Sequence, residues 1–502
     1  MKPHLSLLYQ ANSCLSMAVN TPSGLSDRKN IKDSVLQGDT WGSMLASVQV
    51  DAIAKEVEKA GYGIRYMDIL PVSLLGLVDD IIGITTADYK AAQLNTILKV
   101  KTAEKRLQFG VSKCKTMLVG NTQTGDYKSK LTVDNWQVEH SHNTLTGENT
   151  LVENYTGEVE MGITKTHKYL GFVLSNTGDN LVNISAMKKK SIWIIRKIFL
   201  RLDGLHLRKY YFECAMIFLN VILRSSILYA CETYYNLTEV QIRQLERIEE
   251  GFIRKILKTS TVCPIVQLYL ETGHTPARFA IKKARLLFLK TILEESEESL
   301  IHKILILQFQ NPTKNDWASS CMQDLKDLEI NLTLEEIKKI SKYQFSRMIK
   351  KSIKRKALKY LVDKQRIKGQ EIEYKELKMA EYLLPNDQID SIDDQRKIFS
   401  IRNRMVEIAA NFSRNRQNKN MKTCSCGSIE TMEHIYICDN WNKESNHEKV
   451  SYEAIYSDNT TEQLKVSKQF FHKLEQRRKH NTIVTHEIHL CDPPFSVQGV
   501  HT

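Results

Sequence analysis

Two groups of side chains have the types and the spacing to do chemistry. The first is Asp79 and Asp80, set in the apolar stretch "LLGLVDDIIGITTADY", residues 74–89. An unpaired buried carboxylate costs roughly several kcal/mol unless a cation or hydrogen bonds compensate it. Adjacent aspartates here mark either a tight turn between two strands or a bound metal ion. Successive strand side chains point to opposite faces, so both carboxylates reach one site only if a turn redirects one of them. At a hairpin tip they could hold Mg²⁺, which favours carboxylates, keeps several waters and bridges to substrate phosphates. The second group is "CSCGSIETMEHIYIC", residues 424–438. His434 and Cys438 stand at i and i+4, on one face of a helix. With Cys424 and Cys426 they make a Cys₃His set suited to tetrahedral structural Zn²⁺. The first spacing, Cys-x-Cys, is one residue tighter than the common Cys-x-x-Cys. Such a knuckle commonly binds single-stranded nucleic acid. "THEIHL", residues 485–490, has the wrong spacing for a His-Glu-x-x-His zinc motif and is assigned no role.

Periodicity places these groups on elements. Residues 43–60 have apolar residues at helical spacing, and two β-prone runs then flank the aspartates, a hairpin with Asp79 and Asp80 at its tip. "DYKAAQLNTILKVKTAEKRLQF" returns to helical spacing and stops at Gly110, a helix-ending residue. Residues 120–160 are rich in Thr, Asn and Gly and predict turns and short strands. "KYLGFVL", residues 168–174, predicts one compact strand. Residues 180–290 are helical almost throughout, with a Pro and Gly break near "GHTPARF", and 291–415 form a second helical region. In the latter, "SRMIKKSIKRKALKYLVDKQRIKG" is either a basic amphipathic helix that tracks a phosphate backbone or a solvated charged face. Beyond "CDNW" the chain turns polar and His-rich, and partial disorder is expected.

A chain of 502 residues is too long for one core, so two or three domains are expected. The formal charge of +13 suits a polyanion such as nucleic acid or an anionic membrane surface, and equally a plain basic soluble protein. Ten cysteines are too sparse for a disulfide scaffold; Cys214, Cys231 and Cys263 read as buried thiols in a reducing compartment. Gln10, Asn12 and Ser13 interrupt the apolar start too early for a signal peptide. The most apolar long stretch, residues 210–235, carries Glu213 and Arg224 and reads as a buried helix pair, not a membrane span.

The context of the aspartates supplies a resemblance. Upstream stands "IKDSVLQGDTWGSML", residues 31–45; downstream are "QFGVSKCKTMLVG", residues 108–120, and "HKYLGFVLSNTGDN", residues 167–180. The order Gln-Gly, Val-Asp-Asp, Lys-Thr, Tyr-Leu-Gly resembles the reverse transcriptase domain of non-LTR (LINE-type) retrotransposons over roughly residues 20–290, and the knuckle extends the likeness to about 440. The resemblance implies an α+β fold: a partial right-hand polymerase palm (1–179), a helical thumb (180–290), a basic helical connector (291–415), a zinc knuckle (416–445) and a polar tail (446–502). It implies that Gln37 and Gly38 contact template and incoming nucleotide, and that Asp79, with Asp80 as companion, is a catalytic Mg²⁺ ligand. Lys115 would lie near the nucleotide phosphates, and Tyr169, Leu170 and Gly171 would grip the primer. The implied partners are an RNA template, a DNA primer and dNTPs, with no membrane, in the cytoplasm or nucleus.

The chain also departs from that family. The only aspartates before Gln37 are Asp27 and Asp33, and neither has the strand setting of the family's first catalytic aspartate. The fingers and any nuclease domain are missing, Gly42-Ser43 replaces the usual Ser-Pro, and Leu-Val precedes the aspartates in place of aromatic-Ala. The expectation is a retrotransposon-derived RNA-directed DNA polymerase whose two-metal site is incomplete. The alternative is a catalytically inactive remnant, or a reused protein that binds RNA or DNA without chemistry.

Overall fold

The computed structural model describes residues 16–18, 20–21, 24–27, 29–30, 42–105, 107–120, 131–142, 149–204, 209–366, 372–389, 391–406, 424, 426–438 and 450–480. The fold is α+β, and the chain divides into two compact units, residues 1–178 and 179–502.

In the first unit every sheet among the described residues has two strands. Short strands β1 (Ser16–Met17), β2 (Asn20–Thr21), β3 (Gly24–Leu25) and β4 (Lys29–Asn30) pair as β1–β4 and β2–β3. Helix α1 (Gly42–Ala60) buries Val50, Ile53 and Val57, which recur at i, i+3 and i+7. Hairpins β5 (Ile64–Tyr66)–β6 (Leu70–Val72) and β7 (Leu74–Leu77)–β8 (Asp80–Gly83) follow, then α2 (Asp88–Glu104). Ile53 and Val57 pack on Leu94 and Leu98 of α2, with Leu74, Leu107 and Phe109 against them. Each such aliphatic side chain, fully buried, contributes about 1.5–3 kcal/mol. This core also explains why α2 ends at Glu104, short of Gly110: the Leu107 N–H turns back to the Thr102 carbonyl (2.9 Å), which brings Leu107 and Phe109 onto the core.

Strand β9 (Lys115–Thr116) runs parallel to β12 (Gly162–Ile163). Between them, β10 (Thr132–His142) and β11 (Asn149–Glu160) form a long antiparallel hairpin with a bulge between Asp134 and Trp136, where the sequence had suggested turns and short strands. Cross-strand and helix contacts hold it. The Trp136 and Tyr155 rings lie 5.1 Å apart, and Lys99 of α2 pairs with Asp134 (3.1 Å) and with Glu158. Residues 168–174, expected as one strand, are the hairpin β13 (Thr166–Tyr169)–β14 (Phe172–Ser175). Its two turn residues, Leu170 and Gly171, have φ of 48° and 84°, the two-residue turn that glycine favours and that matches strand twist.

The second unit is helical. Helix α3 (Leu181–Gly204) is followed by α4 (Tyr211–Phe218), which runs on through a π-helical turn (Leu219–Arg224) into Ser225–Ile227. This is one continuous run where a helix pair was expected. Among the described residues no helix is long and apolar enough to cross a membrane. Thr238 and Gln241 cap α5 (Glu239–Leu257) reciprocally, and Gly273 and Pro276 separate α6 (Ile265–Thr272) from α7 (Ala277–Glu294). Helix α7 is central: α5, α8 (Leu300–Gln310), α9 (Trp317–Asp327), α10 (Leu334–Lys339) and the basic α11 (Lys342–Arg366) all pack on it. Then come α12 (Ile392–Arg402), the short α13 (Met432–Ile437) and α14 (Thr460–His480). Residues 450–480 of the polar tail are therefore part of the fold, and the rest of the tail lies outside the described residues. Helix α14 buries Leu464, Val466, Phe470 and Leu474 and packs on α12, while the abundance of Lys, Gln and Glu on its sequence masks that stripe.

Two buried ionic networks tie the helices. The π-helical turn ends at Arg224, whose Nε donates to Glu249 Oε1 of α5 (2.7 Å) and whose Nη2 donates to His274 Nε2 (2.8 Å). That geometry requires a neutral ring with its proton on Nδ1. Burial, then Arg224, holds the His274 imidazole down at about 4. Burial alone would raise the Glu249 carboxyl, but the Arg224 charge leads in bringing it to about 2. In the unfolded chain the ring takes a proton near its ordinary 6.5, so this stability is complete above 6.5 and is lost as pH falls towards 4. Glu249 adds a further loss from its ordinary 4.5 down to about 2. The urea midpoint should therefore fall between pH 6.5 and 4, and fall less in His274→Asn; equal slopes for the two proteins would contradict the assignment. The second network centres on Glu271 of α6. The hydroxyls of Tyr374 (2.8 Å) and Tyr382 (2.9 Å) and Nε of Arg402 (3.1 Å) all donate to its carboxylate. Arg402 Nη1 also donates to the Ile455 carbonyl (2.6 Å).

Candidate metal centre

The knuckle is built by a turn and one short helix. The Cys424 N–H donates to the Ser428 carbonyl and the Gly427 N–H to the Cys424 carbonyl, both at 2.8 Å. Gly427 has φ of 87°, a conformation open to glycine, and this folds Cys424 and Cys426 back towards α13. Thr431 caps α13 by accepting from the His434 N–H (3.0 Å), and the helix carries His434 and Cys438 on one face. The ligand atoms of Cys424, Cys426, His434 and Cys438 all lie within 4.8 Å of one another. Cys424 Sγ and Cys438 Sγ are 3.8 Å apart, and Cys426 Sγ and His434 Nε2 are 3.2 Å apart. With Zn–S bonds of about 2.3 Å, tetrahedral coordination puts two sulfurs about 3.8 Å apart. Among the described residues no other set of three or more His, Cys, Asp or Glu side chains converges in this way.

The electrostatics suit a cation. The backbone N–H of Ser428, then its side chain, lower the Cys426 thiol below its ordinary value. A hydrogen bond to Cys424 leads in raising the His434 imidazole. Three thiols and one imidazole form a donor set that could hold a metal such as zinc, with the metal displacing the protons. Cys424 and Cys438 are buried and Cys426 is exposed, so one edge of the site is open to solvent.

The sequence pattern alone did not show what fixes the knuckle to the fold. The Tyr436 hydroxyl donates to the Val450 carbonyl (2.8 Å) and also touches the Gln469 side-chain amide of α14, and Lys473 of α14 donates to the Tyr436 carbonyl. Arg404 pairs with Glu433 at 3.6 Å. Only the aromatic at 436 between two ligands hinted at this anchoring.

The acidic turn lies in the first unit. Leu77 pairs with Asp80, so Val78 and Asp79 form the two-residue turn and Asp80 opens β8. Both aspartates are exposed, and Val78 has φ of 57°, a strained conformation for a β-branched residue. The Tyr-Leu-Gly turn belongs to the same unit, where burial, then the charge of Asp80, raises the Tyr169 phenol. Leu170 and Gly171 form the tip of that same hairpin. Lys115 is exposed on β9, and no hydrogen bond or ion pair among the described residues joins it to either aspartate. Gln37 and Gly38 lie outside the described residues.

Sequence comparison adds no relative: no protein-family model and no curated protein matches the chain.

Proposed function

We propose that the chain derives from the reverse transcriptase of a non-LTR retrotransposon and binds RNA and DNA through its basic surfaces and a zinc-loaded knuckle. In this reading the first unit is an incomplete palm, α3 to α7 are the thumb, α8 to α12 the connector, and Cys424, Cys426, His434 and Cys438 hold structural Zn²⁺. The observation that carries the reading is the convergence of Cys424, Cys426, His434 and Cys438, whose ligand atoms all lie within 4.8 Å of one another, together with the acidic and Tyr-Leu-Gly turns of the first unit. A metal-binding acidic turn beside a primer-gripping turn is what template-directed synthesis requires: Mg²⁺ on Asp79 and Asp80 would meet the phosphates of a dNTP, and the primer 3′-hydroxyl would attack the α-phosphate. Helix α3 adds a nucleic-acid surface. Lys188, Lys189, Lys190, Arg196, Lys197 and Arg201 face a single acid on the helix, Asp203. Trp193 is 59% exposed with Lys197 Nζ 3.6 Å over its ring, a pairing of aromatic face and cation suited to bases and phosphates.

Among the described residues no third metal-ligating side chain joins Asp79 and Asp80. Two-metal transfer then needs a carboxylate from elsewhere. Purified chain, given an RNA template, a DNA primer, dNTPs and Mg²⁺, is expected to shift the primer–template in a gel without extending the primer. Extension that disappears in Asp79→Asn would mean a further carboxylate completes the site, and the binding-only form of the reading would fail. No gel shift with any RNA or DNA would overturn the reading altogether.

A further inference from the structure

The basic helix α11 is the strongest charged feature that the reading above leaves unused. Ten of its side chains are Lys or Arg, and Asp363 is its only acid. Its inner face is settled: Phe345, Ile349, Ile353, Ala357 and Leu361 are buried. Several of its cations are settled too. Lys342 donates to Thr291 Oγ1 (3.0 Å), Arg355 pairs with Glu329 (2.7 Å), Lys356 pairs with the same carboxylate, and Lys364 meets Tyr360. Arg347, Lys350, Lys351 and Lys354 are different. All four are exposed, and among the described residues no carboxylate pairs with any of them.

Their positions form a stripe. Tyr343, Arg347, Lys350, Lys351 and Lys354 recur at i, i+4, i+7, i+8 and i+11, one side of the helix about 100° round from the mean direction of the buried row. Tyr343 begins the stripe and is 75% exposed. On a helix rising about 1.5 Å per residue, the cations stand at axial steps of about 4.5, 1.5 and 4.5 Å, with Lys350 and Lys351 side by side across the stripe. A merely solvated helix face is normally laced with acids at i+3 and i+4, and this one has none between Lys342 and Asp363. Lys283 of α7, half-buried, is lowered by burial and then by the charge of Lys350.

We propose that this face of α11 is a track for single-stranded nucleic acid, with Arg347, Lys350, Lys351 and Lys354 on successive phosphates and a base stacked on Tyr343. The inference rests on the nucleic-acid reading above and adds a binding surface separate from the Cys/His knuckle. The single strand is favoured over a duplex because only unpaired bases present a free face to an exposed aromatic ring. The cations supply affinity without sequence preference, and each one that neutralises a phosphate releases counterions.

The salt dependence of binding reads this directly. Full-length chain is titrated with a fluorescent single-stranded RNA of about twenty nucleotides across a series of salt concentrations. Log affinity against log salt should lose about 0.7 of slope per cation removed from a phosphate. The variant Arg347→Gln/Lys350→Gln/Lys351→Gln/Lys354→Gln should therefore lose about 2–3 in slope. Tyr343→Ala should weaken binding about tenfold with the slope unchanged. All five positions are exposed, so the helix should persist, which circular dichroism checks. A control that neutralises four other exposed lysines, Lys55, Lys59, Lys165 and Lys326, should leave the slope close to that of the natural chain. If the natural chain binds and the α11 variant keeps its slope, the track is wrong while the wider reading survives. A slope change with a duplex of the same length and none with the single strand would overturn the choice of ligand. Loss of binding to anionic phosphatidylserine vesicles with RNA binding intact would make the face a membrane contact and overturn the proposal. A natural chain that binds no nucleic acid would sink the function and this inference together.

Discussion

Isolated with its metal, the full chain should carry about one zinc ion per molecule, and Cys438→Ser should carry none. Four-ligand structural zinc sites supply on the order of 10 kcal/mol to the segment they fold, so losing one buried thiolate removes the main term holding residues 424–438. The effect should be local and then spread. Without zinc the Cys424 and Cys438 sulfurs, 3.8 Å apart, have no cation between them, and α13 has only six residues with which to hold itself. Its anchors on α14, through Tyr436 and Lys473, should loosen next. Hydrogen exchange over residues 426–438 should rise sharply in Cys438→Ser or with a chelator, while α7 stays protected. Full protection with no zinc bound would refute the structural role. Cys426→Ser should be milder in stability because its sulfur is exposed, yet it too should lower zinc content.

Arg402→Met should destabilise the second unit by about 3–5 kcal/mol, the usual cost of leaving a buried charge without its partner. Glu271 is fully buried and Arg402 nearly so, and the two tyrosine hydroxyls on Glu271 cannot replace a positive charge. Glu271→Gln should cost less than Glu271→Ala, since the amide oxygen can still accept from Tyr374 or Tyr382. Combining Arg402→Met with Glu271→Gln should recover part of the loss. Denaturant unfolding of the four proteins measures this coupling. Additive losses would mean that the pair does not act as a unit.

These two regions were unequally legible in the sequence. The knuckle was readable because its four ligands fall within fifteen residues and their spacing reports a helix face directly. The acidic hairpin was readable because apolar strands flank a polar pair, although the turn falls one residue earlier, at Val78 and Asp79. Helix α1 matched its apolar period to within one residue. The Glu271–Arg402 pair left no trace, since 131 residues separate its members and neither sits in a motif. The β10–β11 hairpin was hidden because its apolar residues, among them Val133, Trp136 and Val138 on one strand and Tyr155 and Val159 on the other, are sparse and the two-residue period slips at the bulge between Asp134 and Trp136. In "KYLGFVL" the apolar run outweighed Gly171, whose backbone freedom makes the turn. In α14 the buried stripe is diluted by long polar side chains that cover its flanks.

The π-helical turn at Leu219–Arg224 makes chain length matter more than residue type. A π turn holds one residue more than the α turn it replaces, and that surplus is what swings Arg224 onto Glu249 and His274. Adding one more residue to the segment would exceed what the π turn absorbs and rotate everything beyond it by about 100° around the helix axis. Many substitutions among Asn220, Val221 and Ile222 would leave that winding intact, because they change surface and not count. This stretch should therefore tolerate altered letters and reject altered spacing, whereas loops of the same protein should do the reverse.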